Sequence, residues 1–322
     1  MEKNNRENQQ SRLRAFLDGD TFKALLPLIG FVVIIVVLNI MTNGKILTPK
    51  KLRLLLSSIY TPTIVATGVF FVMTLGSIDF TEGSTLGVAS LVVSVLSFYN
   101  IPLAILGGIL CGATIGAING FFHVKFKLQS FIVTICTMYL FRGVCAYFTT
   151  ETAVPASTDI RALDINELKI GVTVAVLLIA WFLFRFTRIG NDVKAVGSGE
   201  TAARFSGVHT DRVKFLAFVC AGALTGLAAF VNVIKVGSIT ATAGSQLETQ
   251  ILISLVLGGL PITGGAKVRF SNIVVGTLMY AVLNSGLAIL GYDPQTQQLI
   301  KGVIFLIFVA LTIDRKALKV IK

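Results

Sequence analysis

Residues 54–76 read LLLSSIYTPTIVATGVFFVMTLG, and the segment behind them, 77–83, reads SIDFTEG. The first stretch is 23 residues long and carries no charged side chain. About 20 mostly apolar residues are enough for a helix to cross the hydrocarbon core of a bilayer. The stretch therefore predicts a membrane-spanning helix, and the small, acidic segment after it predicts a break. The same alternation fills the rest of the chain. Further apolar runs cover 24–42, 84–99, 102–122, 129–149, 168–187, 211–234, 247–260, 271–290 and 297–313. The expected fold class is all-α: a polytopic membrane helical bundle of about ten transmembrane helices, with broken helices near 77–83 and 258–266. The run 247–260 is the shortest and has Gly-rich neighbours, which fits a broken or tilted helix.

Composition agrees. Of 322 residues 54% are hydrophobic and only 14% charged, whereas soluble domains carry about 25% charge. One transmembrane domain over 24–313 is expected, between a cytoplasmic N-terminal tail, 1–23, and a C-terminal tail, 314–322. The first tail holds Arg12, Arg14 and Lys23 before any apolar run, unlike a secretory signal; a short interfacial helix is expected over 11–17. The net charge of +12 would point to nucleic acid on a soluble protein. Here the bilayer is the expected partner, and nucleic acid is not.

Basic residues sort to the cytoplasmic side of short loops. With an inner N-terminus, the tails and 77–83, 123–128, 185–214 and 261–270 hold 19 of the 28 Lys and Arg. The outer loop 150–167 carries Glu151, Asp159, Asp164 and Glu167 against Arg161. Lys45, Lys50, Lys51 and Arg53 break the rule. A re-entrant first run would explain them and leave nine spans, but the basic N-tail opposes it.

The sequence holds no GxxxxGK followed by Ser or Thr, no GxSxG and no HExxH, so neither an ATP loop nor a catalytic centre is expected in this chain. Cys111, Cys136, Cys145 and Cys220 lie in apolar runs without CxxC spacing and read as small buried hydrophobes. His123 and His209 fall at cytoplasmic span ends and read as solvated. Asp79 and Glu82 leave two readings open. Acids at membrane depth cost about 2.5–3.5 kcal/mol each and point to gating, substrate or proton handling. Their three-residue spacing also resembles a capping box at the next helix start. The run Gly258–Gly265 around Pro261 cannot be a helix interior and reads as a tight cytoplasmic turn or a re-entrant segment. The outer run 237–246 reads as a vestibule wall or a loop. Asn232, Glu248, Gln250 and Asn284 are the remaining polar candidates for solute contact, each also suited to an interhelical hydrogen bond.

Three places carry a family resemblance. Gly76–Ser84 resembles a GGIDLSVGS segment. Arg188-Ile189-Gly190, Ala195-Val196-Gly197 and Ala202–Val208 resemble a cytoplasmic coupling segment. Leu257–Gly265 resembles an LGGxSxxGG turn. Together, over about 50–315, the chain resembles the permeases of ribose-type ATP-binding-cassette importers. Ser77, Glu82, Pro261 and Lys267 depart from the pattern. The resemblance implies a dimer of permease subunits, identical or not, two ATPase subunits that hold ATP and magnesium, and an external sugar-binding protein. It implies no cofactor in this chain and a place in the cytoplasmic membrane of a prokaryote. It assigns ATPase coupling to Gly197, Glu200, Thr201, Ala202, Ala203, Arg204, Ser206 and Gly207. Thr201–Gly207 is also similar to the importer pattern E-A-A-x-x-x-G, with Thr for Glu; the Ala pair would pack closely on the partner and Gly207 would end the helix. The remaining function classes are an ion-coupled secondary transporter and a membrane enzyme or scaffold. The acids cluster at predicted span ends, which opposes ion coupling, and no reactive constellation supports an enzyme.

Overall fold

Each of the ten apolar runs falls on a helix. The computed structural model describes residues 20–312; most of both tails, including the helix expected over 11–17, lies outside the described residues. The helices are α1 (Asp20–Met41), α2 (Pro49–Thr74), α3 (Glu82–Leu96), α4 (Ile101–Lys125), α5 (Ser130–Thr149), α6 (Thr158–Arg161), α7 (Asn166–Phe186), α8 (Arg188–Ser198), α9 (Glu200–Phe205), α10 (Thr210–Val236), α11 (Leu247–Leu257), α12 (Ser271–Ile289) and α13 (Pro294–Thr312). A two-residue strand, β1 (Val154–Pro155), pairs antiparallel with β2 (Ser238–Ile239). Six helices, α2, α4, α5, α7, α10 and α12, are long and apolar enough to cross a membrane; α3, α11 and Leu25–Met41 of α1 are apolar but shorter.

Start signals are local. Pro49 opens α2 at a position where its missing N–H costs nothing. Asn100 caps α4, its Oδ1 accepting the Leu103 N–H at 2.9 Å. Packing then follows the rule for lipid, where helices gain by close approach rather than by hiding from water. Gly108, Gly112, Gly116 and Gly120 line one face of α4, one turn apart. A Cβ on Gly112 would sit 2.1 Å from the Gly222 carbonyl oxygen of α10, and one on Gly116 would sit 2.2 Å from that of Phe218. On another side of α10, a Cβ on Gly68 of α2 would meet the Ala221 Cα at 2.8 Å. Central α2 and α10 are thus held backbone to backbone, with Ile64, Val65, Phe70 and Phe218 fully enclosed. The faces of α4, α5 and α7 remain largely open, as lipid contact requires.

The segment 188–208, the C-terminus of α2 and the turn after α11 lie at one end of the bundle, here the basic end. Two spans are broken, from opposite ends. The chain leaves α2 at the basic end through Gly76 (φ 76°), climbs through the non-helical residues 77–81, and starts α3 only at Glu82. It leaves α10 at the opposite end through Gly237 (φ 72°), passes β2, and starts α11 only at Leu247. The first turns of these half-helices meet: a Cβ on Gly83 would lie 2.3 Å from the Gly244 carbonyl oxygen, and one on Gly244 would lie 2.0 Å from that of Gly83. The break expected near 77–83 is present, and the segment lies buried in the bundle rather than among the inner loops counted for the charge bias. The interruption expected near 258–266 is present as the turn that joins α11 to α12.

Replacing Gly112 by Val should lower thermal stability in detergent by the overpacking cost of about 1–3 kcal/mol, read as an earlier unfolding midpoint. Gly143→Ala, where a Cβ meets nothing within 4 Å, should not.

Candidate coupling and gating site

The three motifs separated in sequence meet at the basic end. A Cβ on Gly197 of α8 would fall 1.9 Å from the Thr74 carbonyl oxygen and 3.0 Å from the Gly265 nitrogen. Gly265 N–H donates to that same Thr74 oxygen at 3.0 Å. Gly264 (φ 68°) packs against the Gly76 nitrogen, where a Cβ would stand 2.5 Å away. No side chain fits at Gly76, Gly197 or Gly264, and Gly265 is held at φ 109°, so glycine is required at each. Pro261 belongs to a tight turn. A cavity of about 350 Å³ opens beside the junction, lined by Gly76, Ser77, His123, Ser130, Glu200 and Lys214 among others. His123 is half-buried against Phe218, with Nδ1 2.7 Å from the Leu128 carbonyl oxygen, rather than solvated.

Above the junction runs a chain of buried hydrogen bonds. Asp79 is 2% exposed. Its Oδ1 accepts from the Thr81 backbone N–H at 2.8 Å and the Thr81 hydroxyl at 2.5 Å. Asn119 Nδ2 of α4 donates to Thr81 Oγ1 at 2.9 Å, and Thr137 of α5 donates to Asn119 Oδ1 at 2.7 Å. The freed backbone of Ile78 is served by α5: its N–H donates to Ser130 Oγ at 3.1 Å, and Thr134 donates to its carbonyl at 3.4 Å. Asp79 thus holds the climbing segment in shape, and no reciprocal capping box with Glu82 forms.

Glu82 is 1% exposed. Its Oε2 accepts from the Thr225 hydroxyl of α10, and Oε1 has no partner. Thr225 lies eleven residues before Val236, about 16 Å along the helix, near the middle of a core about 30 Å thick. Glu82 therefore sits near mid-span rather than at a span end, which removes the sequence argument against ion coupling. Glu248, 6% exposed, pairs through Oε1 with Arg142 Nη2 at 3.0 Å, while Oε2 has no hydrogen-bond partner. Arg142 lies on the apolar span α5 and was missed in the sequence; a cation inside an apolar run is itself a signal.

The other polar candidates are dispersed. Asn232 donates to Ser90 Oγ at 3.3 Å, an interhelical bond. Asn284 accepts from Lys301 at 2.6 Å on an exposed face. Gln250 accepts on its backbone carbonyl from Ser254 within α11.

The residues expected from sequence to couple to an ATPase divide into two groups. Gly197 and Ala203 face inward, so the second alanine of the pair belongs to the packed base of the segment and not to its exposed face. Thr201, Ala202, Arg204, Ser206 and Gly207 are exposed. Gly207 adopts φ 85° directly after α9 and ends it. Glu200 accepts from Lys214 Nζ at 2.5 Å and lies 3.4 Å from Arg204 Nη2. The Lys214 hydrogen bond holds its carboxyl below the usual glutamate value and ties α9 to α10. Phe205, missed in the sequence, is 89% exposed at the end of this clamped helix.

Asp79→Asn keeps an Oδ1 for both Thr81 donors and should leave thermal stability and uptake nearly unchanged. Asp79→Leu strands two buried donors, at about 1–3 kcal/mol for each, and should lower the unfolding midpoint and the membrane yield.

Comparison with known proteins supplies the family. Residues 52–309 match the permease component of branched-chain amino acid transport systems. The chain is 30% identical to the ribose import permease protein RbsC of Escherichia coli (strain K12), over 91% of this chain and 93% of that one. It is 30% identical to the protein of the same name from Bacillus subtilis (strain 168), over 96% and 97%. It is 27% identical to the D-allose transport system permease protein AlsC of Escherichia coli (strain K12), over 88% and 89%. No solved structure matches. With a match that spans most of its length, and with helices built to cross a bilayer, this chain belongs to that family of transport-system permease components and is a multi-pass membrane protein.

Proposed function

We propose that the chain is the membrane subunit of an importer that moves a monosaccharide-like solute across the cytoplasmic membrane of a prokaryote. Separate ATPase subunits supply the energy, a soluble binding protein delivers the solute, and a second permease subunit completes the pore. The similarity to ribose and allose permeases over nearly the whole chain supports the cargo class. Ten crossings with both termini inside fit the ten apolar runs, each of which falls on a helix, and the basic bias.

The observation that carries the coupling role is Phe205. A large aromatic side chain almost fully exposed on a charged loop has no structural use where it stands. Buried aromatic anchors dominate protein interfaces. Its helix is short, clamped by Glu200 and Lys214, and seated through Gly197 on the ends of the broken spans. A partner that grips Phe205 therefore pulls on a rigid mount. Ion coupling is the second reading, because Glu82 and Glu248 lie buried in the bundle.

Phe205→Ala should weaken co-purification with the ATPase by about tenfold or more, the loss expected of an interface anchor. Arg204→Glu should weaken it further and raise its salt dependence. Both variants should insert and stay folded. Uptake that survives ATP depletion and stops with a protonophore would overturn the ATP-driven reading in favour of ion coupling.

A further inference from the structure

The two half-helices bring their first turns together near mid-span, α3 from one end of the bundle and α11 from the other. We propose that this meeting point is a contact site for a polyhydroxylated solute, closed in this structure by the Gly83–Gly244 backbone contact. The proposal rests on the importer reading above and adds to it the place and chemistry of recognition inside the bilayer.

Four observations carry it. Glu82 and Glu248 are the first and second residues of α3 and α11. Each is more than nine-tenths buried, and each has one carboxylate oxygen without a hydrogen-bond partner, Oε1 in Glu82 and Oε2 in Glu248. Leaving a buried acceptor unpaired costs about 1–3 kcal/mol, more for a charged group, so one on each of two helix tips that touch calls for an explanation. The Glu248 oxygen is aimed at α3: a Cβ on Gly83 would stand 2.0 Å from Oε2. Arg142 supplies donors on the same carboxylate, and its side chain remains 33% exposed, so the cluster opens to the surface of the chain rather than into packed core.

The donor set selects the ligand class. Two carboxylates face Arg142 and two half-helix N-termini that each carry about half a positive charge, so the tips hold little net charge and give a bare cation no strong hold. An anion would meet two carboxylates. A neutral polyol fits: each hydroxyl both donates and accepts, donating to the orphan carboxylate oxygens and accepting from the guanidinium. Discontinuous helices that meet near the bilayer midplane are where membrane transporters build solute sites.

The closed state has a physical lock. At the tips the Gly83 and Gly244 backbones touch with the Glu248 carboxylate packed beside them, so the orphan oxygens are reached only when the two half-helices separate. In the closed state the orphan oxygens have nothing to bind, and separation exposes them to solute.

Two measurements on the full chain in its assembled transporter decide the matter. In the first, the four native cysteines are replaced, and Glu82→Cys or Glu248→Cys is probed in cells with a membrane-impermeant thiol reagent. Thr158→Cys, exposed near the opposite end, is the reference. The expected result is labelling at both positions that rises during ATP turnover and falls when the imported sugar is added. No labelling at either, with Thr158→Cys labelled, would overturn the proposal. In the second, uptake of ribose, allose, arabinose and fructose is measured for wild type, Glu82→Gln and Glu248→Gln. Each variant should raise KM for the imported sugar by about tenfold, the worth of a hydrogen bond to a charged group, with an unfolding midpoint unchanged in Glu82→Gln. An unchanged KM in both would also overturn it. A wild type that imports none of the four would sink the cargo reading, and the labelling result would still decide whether the meeting point is a solute passage.

Discussion

A bilayer offers no water to an interrupted helix, so every backbone group freed by a break needs a partner inside the protein. In this molecule the broken segments serve one another and their neighbours. Gly265 N–H donates to the Thr74 carbonyl at the end of α2. Ser130 and Thr134 of α5 take both polar groups of Ile78. Thr81 is shaped by Asp79 and braced by Asn119. Such bonds demand main-chain contact, and main-chain contact demands glycine. Gly76, Gly83, Gly197, Gly244 and Gly264 therefore follow from the decision to interrupt helices within the membrane, and so does the buried Asp79.

Much of this was legible in the sequence, and the missing parts have physical causes. The ten apolar runs became helices because hydrophobic length is nearly sufficient to specify a span. The three glycine-bearing motifs were visible one by one. Their convergence was not, since sequence spacing says nothing about which distant backbones touch. The break at 77–83 was legible, but its burial was not, because Asp79, Thr81 and Glu82 are polar. Their partners Asn119, Thr137 and Thr225 sit inside apolar runs, where a single polar residue reads as incidental. Ala203 belonged to a pair of identical residues, and only the orientation of α9 on its base shows that it faces inward while Ala202 faces out. Phe205 was passed over because aromatic residues are common in a chain with 23 Phe; exposure, not identity, makes it informative.

The departures from the family pattern also gain a physical place. Glu82 stands where a small apolar residue is usual, at the first position of α3. The helix dipole there favours a carboxylate, and Thr225 of α10 donates to it. One oxygen still lacks a partner, so the substitution is only partly compensated by the folded chain. A stabilising role alone would have placed a second donor beside it. The uncompensated oxygen therefore stands at the tip of a half-helix.

The two half-helices share a foundation. The root of α3 is the segment 75–81, which leaves α2 at Thr74. The root of α11 is the turn 258–265, which returns to the same Thr74 carbonyl through Gly265. Gly197 of α8 rests on both, against the Thr74 oxygen and the Gly265 nitrogen. A displacement of the coupling segment cannot be absorbed at that point, because no flexible side chain lies between the backbones to yield. Packed interfaces of this kind shift between discrete arrangements rather than bending continuously. At the far tips, Gly83 and Gly244 meet backbone to backbone beside the Glu248 side chain. The charged, exposed end is therefore joined to the middle of the bundle along two routes, the segment 75–81 and α11, and both run through glycine contacts with no room for a Cβ.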